Sequence, residues 1–531
     1  DGVPLSDPFG GWIYWTSLPR LLVERVEVVR GGGSSLYGTD AVGGVVSLLP
    51  RGDAPPFLVA ESSFASAETV NGTAAGGVSL GGFALRAAGE ISRTDGVFLV
   101  GGKDRGAVDT RAGADFGNIT AATERRLGGA GRAFIRGSYF SESRNNGTAL
   151  QVNDTRTRSL AAGADVRRGA WNGGIRIFGG NQVYNQTFTS IAATRATEAL
   201  IRRQRTPARQ IGLSSQVSTI RGRHTVVLGV DARRVRGFAN ETAITAGRST
   251  ALVEAVGQAA FRGIFAQDTA VFGSRLLVTL GARYDAWHHS DGQAITTTLS
   301  TGVRSGGAFA ARSESALDPR LAVLFRASSA LSFTASAYRA FRAPTLNELY
   351  RAFRVGNVST LANASLRAET FEGIEGGLAY ENRRRGVRVR GALFQGRVRD
   401  PIVNATLSVT PDLTTRQRQN LGANRSLGFE SELQWDPSAA LSISVSCLFS
   451  HARVDDAPAN RALEGLDLPQ SPRHQVTAQA RYTGPGRLRL SLQARGSGRQ
   501  FDDDQNLLPL RGYGVVDALA TMPLARRFDV F

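Results

Sequence analysis

From about residue 57 onward, apolar and polar residues alternate along the chain with a period of two rather than with helical spacing. In the segment SLGFESELQWD, residues 426–436, the large apolar side chains fall on one face, and Glu430 and Glu432 fall on the other. The segments LSISVSCLFS (441–450) and GRLRLSLQARG (486–496) alternate in the same way. This pattern predicts β-strands with one apolar face and one face in water.

The connections between these strands form a second pattern, because short turns and long polar segments alternate along the chain. Short turns are predicted near residues 81–82, 127–129, 168–170, 221–222, 273–274, 328–330, 437–439 and 484–486. Long polar segments are predicted near 93–115, 188–207, 236–259, 288–317, 340–368, 399–424, 452–471 and 497–512. A soluble sandwich has no reason to segregate loop length by strand end, whereas a transmembrane β-barrel does.

The fold class predicted from both patterns is therefore an all-β transmembrane barrel of antiparallel strands. Lipid offers no hydrogen-bond partners, so a sheet crosses a membrane only when it closes on itself. We count about 21 candidate strands, the last of them, RRFDVF, incomplete. Bacterial single-chain barrels have even strand numbers, so we expect about 22 strands in the full protein.

A barrel of this size encloses a lumen too wide for its own side chains to fill. Residues 1–55 do not show the barrel pattern, and we predict that they are the C-terminal part of an α/β plug domain. Residues 56–531 are then the barrel, without its final strands.

The predicted plug contains the segment VERVEVVRGGGSSLYGTDAVGGVVSLLP, residues 23–50. A phosphate-binding loop would need a Lys-Ser or Lys-Thr pair and a following helix, and the sequence shows neither. We instead predict that Gly31, Gly32 and Gly33 form a tight turn between two plug strands.

Composition narrows the function classes. The chain has 531 residues and a formal charge of +18, carried almost entirely by arginines spread along its whole length, which does not favour nucleic-acid binding. Its single cysteine, Cys447, excludes an intrachain disulfide and a thiolate zinc cluster. No apolar run approaches the roughly 20 residues of a transmembrane helix. Arginines on the wet faces fit an anionic ligand or attraction to anionic lipid headgroups equally well.

Candidate chemistry is sparse. Asp502, Asp503 and Asp504 are weak candidates for binding Ca²⁺, although consecutive carboxylates point in different directions and a solvated acidic loop is favoured. The five histidines have no partners at metal-ligand spacing, and no catalytic constellation is apparent. We therefore expect no enzyme activity, no bound cofactor and no metal site.

The plug segments DGVPLSDPFGGWIYWTSLP (1–19) and 23–50 resemble the TonB-dependent outer-membrane receptor family. Four further segments match that family in order along the barrel: FRAPTLNELY (341–350), LRAETFEGIEGGLAY (366–380), NLGANRSLGFESEL (420–433) and GYGVVDALA (512–520). The beginning of the plug, with the coupling box, and the last strands are missing relative to the family pattern. The resemblance thus identifies a partial receptor chain.

The resemblance implies active import of a scarce nutrient, such as siderophore-bound iron, cobalamin or a similar chelate, across the cell outer membrane. The implied partners are the TonB-ExbB-ExbD complex, outer-membrane lipid and the small-molecule ligand. By the family pattern, plug Arg30 contacts the barrel residues Glu375, Glu430 and Glu432, through a partly dehydrated ion pair, and the plug turn comprises Gly31, Gly32, Gly33, Tyr37 and Gly38.

Two alternatives stay open at this point. A passive outer-membrane porin would share the barrel but would have no N-terminal plug. A surface binding protein that uses the barrel as an anchor would be expected to carry very long single loops.

Overall fold

The computed structural model describes residues 2–51, 56–355, 357–411, 413–525 and 528–531. Its strands, in chain order, are β1 Val23–Arg30, β2 Gly44–Pro50, β3 Phe57–Ala65, β4 Thr69–Leu80, β5 Phe83–Phe98, β6 Arg111–Arg126, β7 Gly131–Asn145, β8 Val152–Arg168, β9 Trp171–Ile191, β10 Glu198–Arg221, β11 His224–Thr245, β12 Arg248–Phe272, β13 Leu276–Thr298, β14 Arg304–Ala308, β15 Arg312–Arg326, β16 Leu331–Arg342, β17 Phe353–Val355, β18 Val358–Leu361, β19 Glu369–Asn382, β20 Val387–Arg399, β21 Ile402–Val409, β22 Thr414–Asn420, β23 Ala423–Ser438, β24 Leu441–Asp456, β25 His474–Thr483, β26 Arg489–Ser497, β27 Gln500–Phe501, β28 Pro509–Leu510, β29 Tyr513–Ala525 and β30 Phe528–Val530. Two short α-helices, α1 Ser34–Tyr37 and α2 Leu346–Tyr350, accompany them.

Twenty-two of the described strands, namely β3 to β16, β19, β20, β23 to β26, β29 and β30, form one closed barrel. Its neighbouring strands are antiparallel; β14 pairs with the upper part of β13, and β15 pairs with the rest of that strand. The predicted fold class, an antiparallel barrel of about 22 strands with a plug, is confirmed. No helix among the described residues is long and apolar enough to span a membrane.

Every short turn predicted from the sequence joins two barrel strands at the same end of the barrel, which we call the short-turn end. At the opposite, long-loop end, part of the prediction is wrong. Residues 236–259 form the continuous hairpin of β11 and β12, with only residues 246–247 between the strands. Both strands extend beyond the part of the barrel where one face must be apolar. The alternation of apolar and polar residues therefore ends there, although the backbone pairing between β11 and β12 continues.

The plug consists of a two-stranded antiparallel ladder, β1 with β2, preceded by residues 2–22, which contain an isolated bridge between Ser6 and Ile13 and two short 3-10 helices, Trp15–Ser17 and Arg20–Leu22. The register pairs Arg30 with Gly44, so residues 31–43 lie between the strands and include the helix α1. The predicted tight turn at Gly31, Gly32 and Gly33 is therefore wrong, and a short helix follows the glycines. Residue 55, the predicted end of the plug, lies outside the described residues.

Two long-loop segments fold back over the lumen instead of standing away from it. Residues 343–368 contribute α2, β17 and β18, and residues 400–422 contribute β21 and β22. The four strands form one small sheet in the order β17-β18-β22-β21, in which β18 and β22 run parallel. The two loops are thereby joined into a single cover.

Candidate functional site: the plug and its cover

Arg30, the last residue of β1, reaches the barrel wall at β23. Its Nη1 lies 2.8 Å from Glu430 Oε1, and its Nη2 contacts Glu432. The two glutamates are two residues apart on one strand and therefore share the lumen face. The hydrogen bond to Glu432 raises the pKa of the Arg30 guanidinium. The Arg30 side chain is 55% exposed, whereas those of Glu430 and Glu432 are 28% and 32% exposed, so the pair is partly dehydrated and water still screens it.

Glu375 lies beside the plug but has a different partner. Its carboxylate accepts a hydrogen bond of 2.5 Å from the Tyr338 hydroxyl, and the two Arg30 ion pairs go to Glu430 and Glu432. A Cβ atom on Gly31 would collide with the Glu375 carboxylate and the Tyr338 hydroxyl, and Gly31 has φ +76°. Glycine at this position thus permits both the backbone conformation and the close approach.

Gly32 is packed against the wall in the same manner. A Cβ atom there would lie 2.5 Å from Cδ2 of the Tyr338 ring. Arg320 of β15 donates a hydrogen bond of 2.7 Å from Nη1 to the carbonyl oxygen of Gly32. The glycine run therefore seats the plug on the barrel wall, a role that differs from both a tight turn and a phosphate-binding loop.

The helix α1 is held by the upper end of β16. The backbone N–H of Phe341 donates to Ser34 Oγ at 3.2 Å, and the backbone N–H of Ala343 donates to Thr39 Oγ1 at 3.0 Å. Asp40 donates its backbone N–H to the Phe341 carbonyl at 3.3 Å. These bonds fix plug residues 34–40 to the end of β16 and the residues just after it.

The remaining predicted plug-turn residues differ in their surroundings. Gly33 donates its backbone N–H to the Ala41 carbonyl at 2.8 Å and begins α1 as its N-cap. Gly38 ends the helix with φ +72°, and a Cβ there would lie 2.9 Å from Nη2 of Arg283. Tyr37 is largely exposed.

Asp7 organises the first part of the plug. Its carboxylate accepts hydrogen bonds from the backbone N–H groups of Phe9, at 2.8 Å, and Gly10. Gln182 of β9 donates its side-chain amide to the same carboxylate. Burial raises the pKa of Asp7 to about 6, in spite of these hydrogen bonds. The arrangement turns the chain so that the Phe9 ring points toward the cover.

The helix α2 carries a capping box. Thr345 Oγ1 accepts from the backbone N–H of Glu348 at 3.2 Å, and the Glu348 carboxylate accepts from the backbone N–H of Thr345 at 2.8 Å. Glu348 is also paired with Arg342 at 3.0 Å. Burial favours its neutral form, but the charge of Arg342 and these hydrogen bonds hold the pKa of Glu348 below its usual value.

Phe9 inserts into the cover and forms what we call the upper core. Its backbone carbonyl accepts a hydrogen bond of 3.0 Å from the N–H of Asn347. The buried members of the upper core are Phe9, Ala208, Val235, Ala239, Ala255, Ala259, Leu346, Leu349, Tyr350 and Leu366. Plug, cover and barrel wall therefore meet in one apolar cluster.

Two buried arginines fix the cover around this core. Arg351 donates from Nε to Gln204 Oε1 at 2.8 Å and from Nη1 to Asn347 Oδ1 at 3.1 Å. Arg418, on β22, donates from Nη1 to the carbonyl oxygens of Asn347 and Arg351 at 2.9 and 2.8 Å. Burial lowers the pKa of Arg418 to about 10. The side chain of Arg418, in the 400–422 loop, is thus hydrogen-bonded to the main chain of the 343–368 loop.

Sequence reasoning did not identify Asp7, Phe9, Arg351 or Arg418. The T-x-x-E spacing of Thr345 and Glu348 is a capping-box signal and would have predicted α2 inside the long polar segment. The other residues gave no signal of their own, because their partners are distant in sequence.

The structure does not bring the three weak metal candidates together. Asp503 accepts backbone N–H bonds from Gln505, Leu507 and Leu508, and Asp504 accepts from the Thr406 N–H and hydroxyl. Asp502 accepts from Gln470. The three carboxylates serve separate partners, two of which lie on other segments, and the described residues contain no group of three or more potential ligands that could hold a metal ion.

These features define a class of protein, a large antiparallel barrel whose lumen holds a plug seated on the wall and covered from the long-loop end. The chain belongs to the TonB-dependent receptor family. The family model for the TonB-dependent receptor-like β-barrel matches residues 92–531, and the model for the TonB-dependent receptor plug domain matches residues 1–45.

Curated relatives match over short segments. The vitamin B12 transporter BtuB of Vibrio vulnificus is 43% identical over 49 residues, which are 9% of this chain and 8% of the relative. The iron-regulated outer membrane virulence protein of Vibrio cholerae is 45% identical over 53 residues, 9% of this chain and 8% of the relative. The matched parts are thus under a tenth of each relative's length.

Solved structures match over nearly the whole chain. The ferric yersiniabactin uptake receptor FyuA of Yersinia pestis has a TM-score of 0.76 at 14% identity, covering 96% of this chain and 79% of that chain. The copper transporter OprC has a TM-score of 0.78 at 14% identity, covering 94% and 79%. The ferric citrate transporter FecA has a TM-score of 0.74 at 15% identity, covering 99% and 80%. At these identities the likeness establishes the fold.

Proposed function

We propose that this chain acts in the bacterial outer membrane as a receptor that imports a scarce nutrient by active transport. Siderophore-bound iron and cobalamin are the nutrients we favour. Family membership supports TonB-dependent uptake, and the short matches to relatives named as a vitamin B12 transporter and an iron-regulated outer membrane protein support these two nutrients.

The observation that carries the proposal is the attachment of the plug to both the wall and the cover. Phe9 is bound by α2 of the cover, and Gly32 by Arg320 of the wall. A porin works with an open lumen, whereas a lumen closed by such contacts passes a bulky solute only after the contacts break. Breaking them requires work, which supports coupling to an energy source.

The partners we propose follow from this scheme. The TonB-ExbB-ExbD complex would supply the work from the periplasmic side, outer-membrane lipid would surround the barrel, and a metal chelate or other small molecule would bind at the long-loop end. Within the receptor, we propose that Arg30 with Glu430 and Glu432, beside Glu375, holds the β1 end of the plug against the wall between transport cycles.

The test is uptake by whole cells. A strain with the gene deleted, and the same strain complemented, would be given radiolabelled ferric siderophores or cobalamin, each with and without a functional TonB. We expect accumulation of at least one nutrient only when both the receptor and TonB are present. Equal accumulation without TonB would identify a passive porin, and no accumulation of either nutrient would exclude the two that we favour.

A further inference from the structure

Two arginines face each other directly on the outer wall of the barrel. Arg209 of β10 and Arg236 of β11 are partners in the strand register. Their neighbours Ala208 and Val235 are buried in the upper core, so alternation points both arginines away from the lumen. Like charges directly opposite each other destabilise a sheet.

Two more arginines extend the pair into a cluster. Arg234 lies one outward position below Arg236 and diagonal to Arg209. Arg262 of β12 is opposite Ala232 and therefore diagonal to Arg234. We call Arg209, Arg234, Arg236 and Arg262 the arginine cluster. Side chains as long as arginine reach their diagonal neighbours, about 7 to 8 Å away.

The arginine cluster lacks compensating negative charge. Across the described residues, none of its four members forms an ion pair, and Nε of Arg236 is buried without a hydrogen-bond partner. Arg236 does lie over the Phe238 ring, at 5.1 Å. The carboxylates of Glu254 and Asp291 lie beyond the cluster, toward the long-loop end. An external anion would relieve the repulsion.

The height of the cluster on the wall indicates the kind of anion. A strand crosses a membrane in about 9 to 11 residues. Arg234 is ten residues from the short-turn end of β11, which begins at His224, and Arg262 is ten residues from the short-turn end of β12, which finishes at Phe272. The arginines therefore lie where an outer-leaflet headgroup would be.

An apolar groove continues from the cluster toward the short-turn end. Its volume is about 470 Å³, and Ile264 and Val230 on its edge follow Arg262 and Arg234 along the same outward face. The small side chains of Ala266 and Ala282 leave room between larger neighbours. The outward apolar residues lining the groove are Val217, Leu228, Val230, Ile264, Tyr284 and Leu317.

We propose that the arginine cluster and the groove form one binding site for a phosphorylated glycolipid of the outer leaflet. Arginine binds phosphate through paired hydrogen bonds, and the groove would hold an acyl chain. The cluster spans three strands, about 10 Å at the usual strand spacing, which suits a headgroup with two phosphates better than a simple phospholipid. The inference rests on the outer-membrane location proposed above.

The experiment measures lipid binding by the purified full-length receptor in detergent, by native mass spectrometry at fixed salt. The probe is a bisphosphorylated lipid A, compared with the same lipid after removal of its phosphates and with phosphatidylglycerol. The variant is Arg209→Gln, Arg234→Gln and Arg262→Gln together. The control is Arg168→Gln, Arg384→Gln and Arg385→Gln, which removes the same charge at the short-turn end.

We expect the cluster variant to bind bisphosphorylated lipid A at least tenfold more weakly than the wild type, and the control variant to bind it normally. Phosphate removal should weaken binding to the wild type and to the control variant, but should change little in the cluster variant. Filling the groove with Ala266→Phe and Ala282→Phe should also weaken binding. Each variant must keep heat-modifiable migration in gels, which reports a closed barrel.

Three results would overturn the inference: equal binding by the cluster variant, binding of phosphatidylglycerol as tight as that of lipid A, or unchanged binding after the groove is filled. Nutrient uptake is measured separately in cells. A receptor that imports neither nutrient but binds lipid A through the cluster would exclude the two favoured nutrients and leave this site standing.

Discussion

The backbone N–H of Asn347 donates to the carbonyl oxygen of Phe9 at 3.0 Å, so the cover of the barrel is hydrogen-bonded directly to the plug. The Phe9 ring is buried among residues of both the cover and the wall. Movement of the plug must therefore break the cover's packing, and ligand contact with the cover would alter the hold on the plug. This relationship makes Phe9 the first residue to change.

Phe9→Ala should release the first part of the plug. Loss of a buried phenylalanine costs about 3 to 5 kcal/mol, since it removes apolar contacts and leaves a cavity. We expect amide hydrogen exchange in residues 7–19 to become at least a hundredfold faster, as local opening becomes easier. Mass spectrometry of the exchanged, purified receptor would measure the change.

Trp15→Ala is the matched control, because it also removes a large aromatic side chain from the plug but one that is 59% exposed. Exchange should then change little. If the two variants gave the same acceleration, the upper core would not be what retains this part of the plug.

The hold on the plug should strengthen as the pH falls from 7 to about 4. Burial raises the pKa of Asp7 from 3.8 to about 6, so the folded plug binds a proton that the released plug gives up. The stability that Asp7 contributes to the seated plug is therefore greatest below pH 3.8 and is lost as the pH rises through 6. The change is at most about 3 kcal/mol, from two pKa units at 1.36 kcal/mol each.

Asp7→Asn tests this assignment. The amide oxygen retains an acceptor for the N–H groups of Phe9 and Gly10, and the variant cannot ionise. Urea-induced release of the plug, followed by exchange or proteolysis between pH 4 and 8, should show the pH dependence in the wild type and lose most of it in the variant. A full pH dependence in the variant would assign the effect to another group.

Much of the barrel could be predicted from sequence because each membrane-crossing strand must keep one apolar face. Leu427 and Phe429 point outward and Glu430 points to the lumen, as the alternation requires. The sequence of residues 236–259 predicts a loop although it forms a hairpin, because strands beyond the apolar region no longer face lipid. Pairing there continues through the backbone, which leaves no trace in side-chain pattern.

The site was less predictable because its contacts join residues far apart in the chain. Arg30 and its two glutamates came from a family pattern, and their actual exposure depends on the lumen around them. The glycine run predicts a turn, because sequence shows the absence of a side chain but not the Tyr338 ring that requires this absence. Arg351 and Gln204 carry no signal that they meet.

Gly32→Ala should weaken the seating of the plug on the wall. The new methyl group would meet the Tyr338 ring, and overpacking of this kind costs about 1 to 3 kcal/mol. Gly43→Ala is the control, because a Cβ there meets nothing within 4 Å. The measured quantity is the urea concentration at which the plug is released.

A double-mutant cycle tests whether the Tyr338 ring causes the weaker seating of the plug in Gly32→Ala. If the clash with Tyr338 is responsible, Tyr338→Ala should relieve part of the penalty of Gly32→Ala, and the two changes should be less than additive. Strict additivity would mean that Gly32 acts through backbone conformation or through its hydrogen bond with Arg320 instead.

Arg30→Ala should loosen the β1 end of the plug only modestly and in a salt-dependent way. Because the Arg30 side chain is more than half exposed, screening limits the loss to under about 1 kcal/mol. In low salt we expect slightly easier plug release in urea and raised antibiotic permeability of cells. Near 1 M salt the Debye length falls to about 3 Å, and the difference in release should vanish.

The double variant Glu430→Gln with Glu432→Gln should behave like Arg30→Ala, and adding Arg30→Ala to it should change plug release no further. If the difference in plug release between the wild type and Arg30→Ala persisted in 1 M salt, the ion pair would not be screened by water.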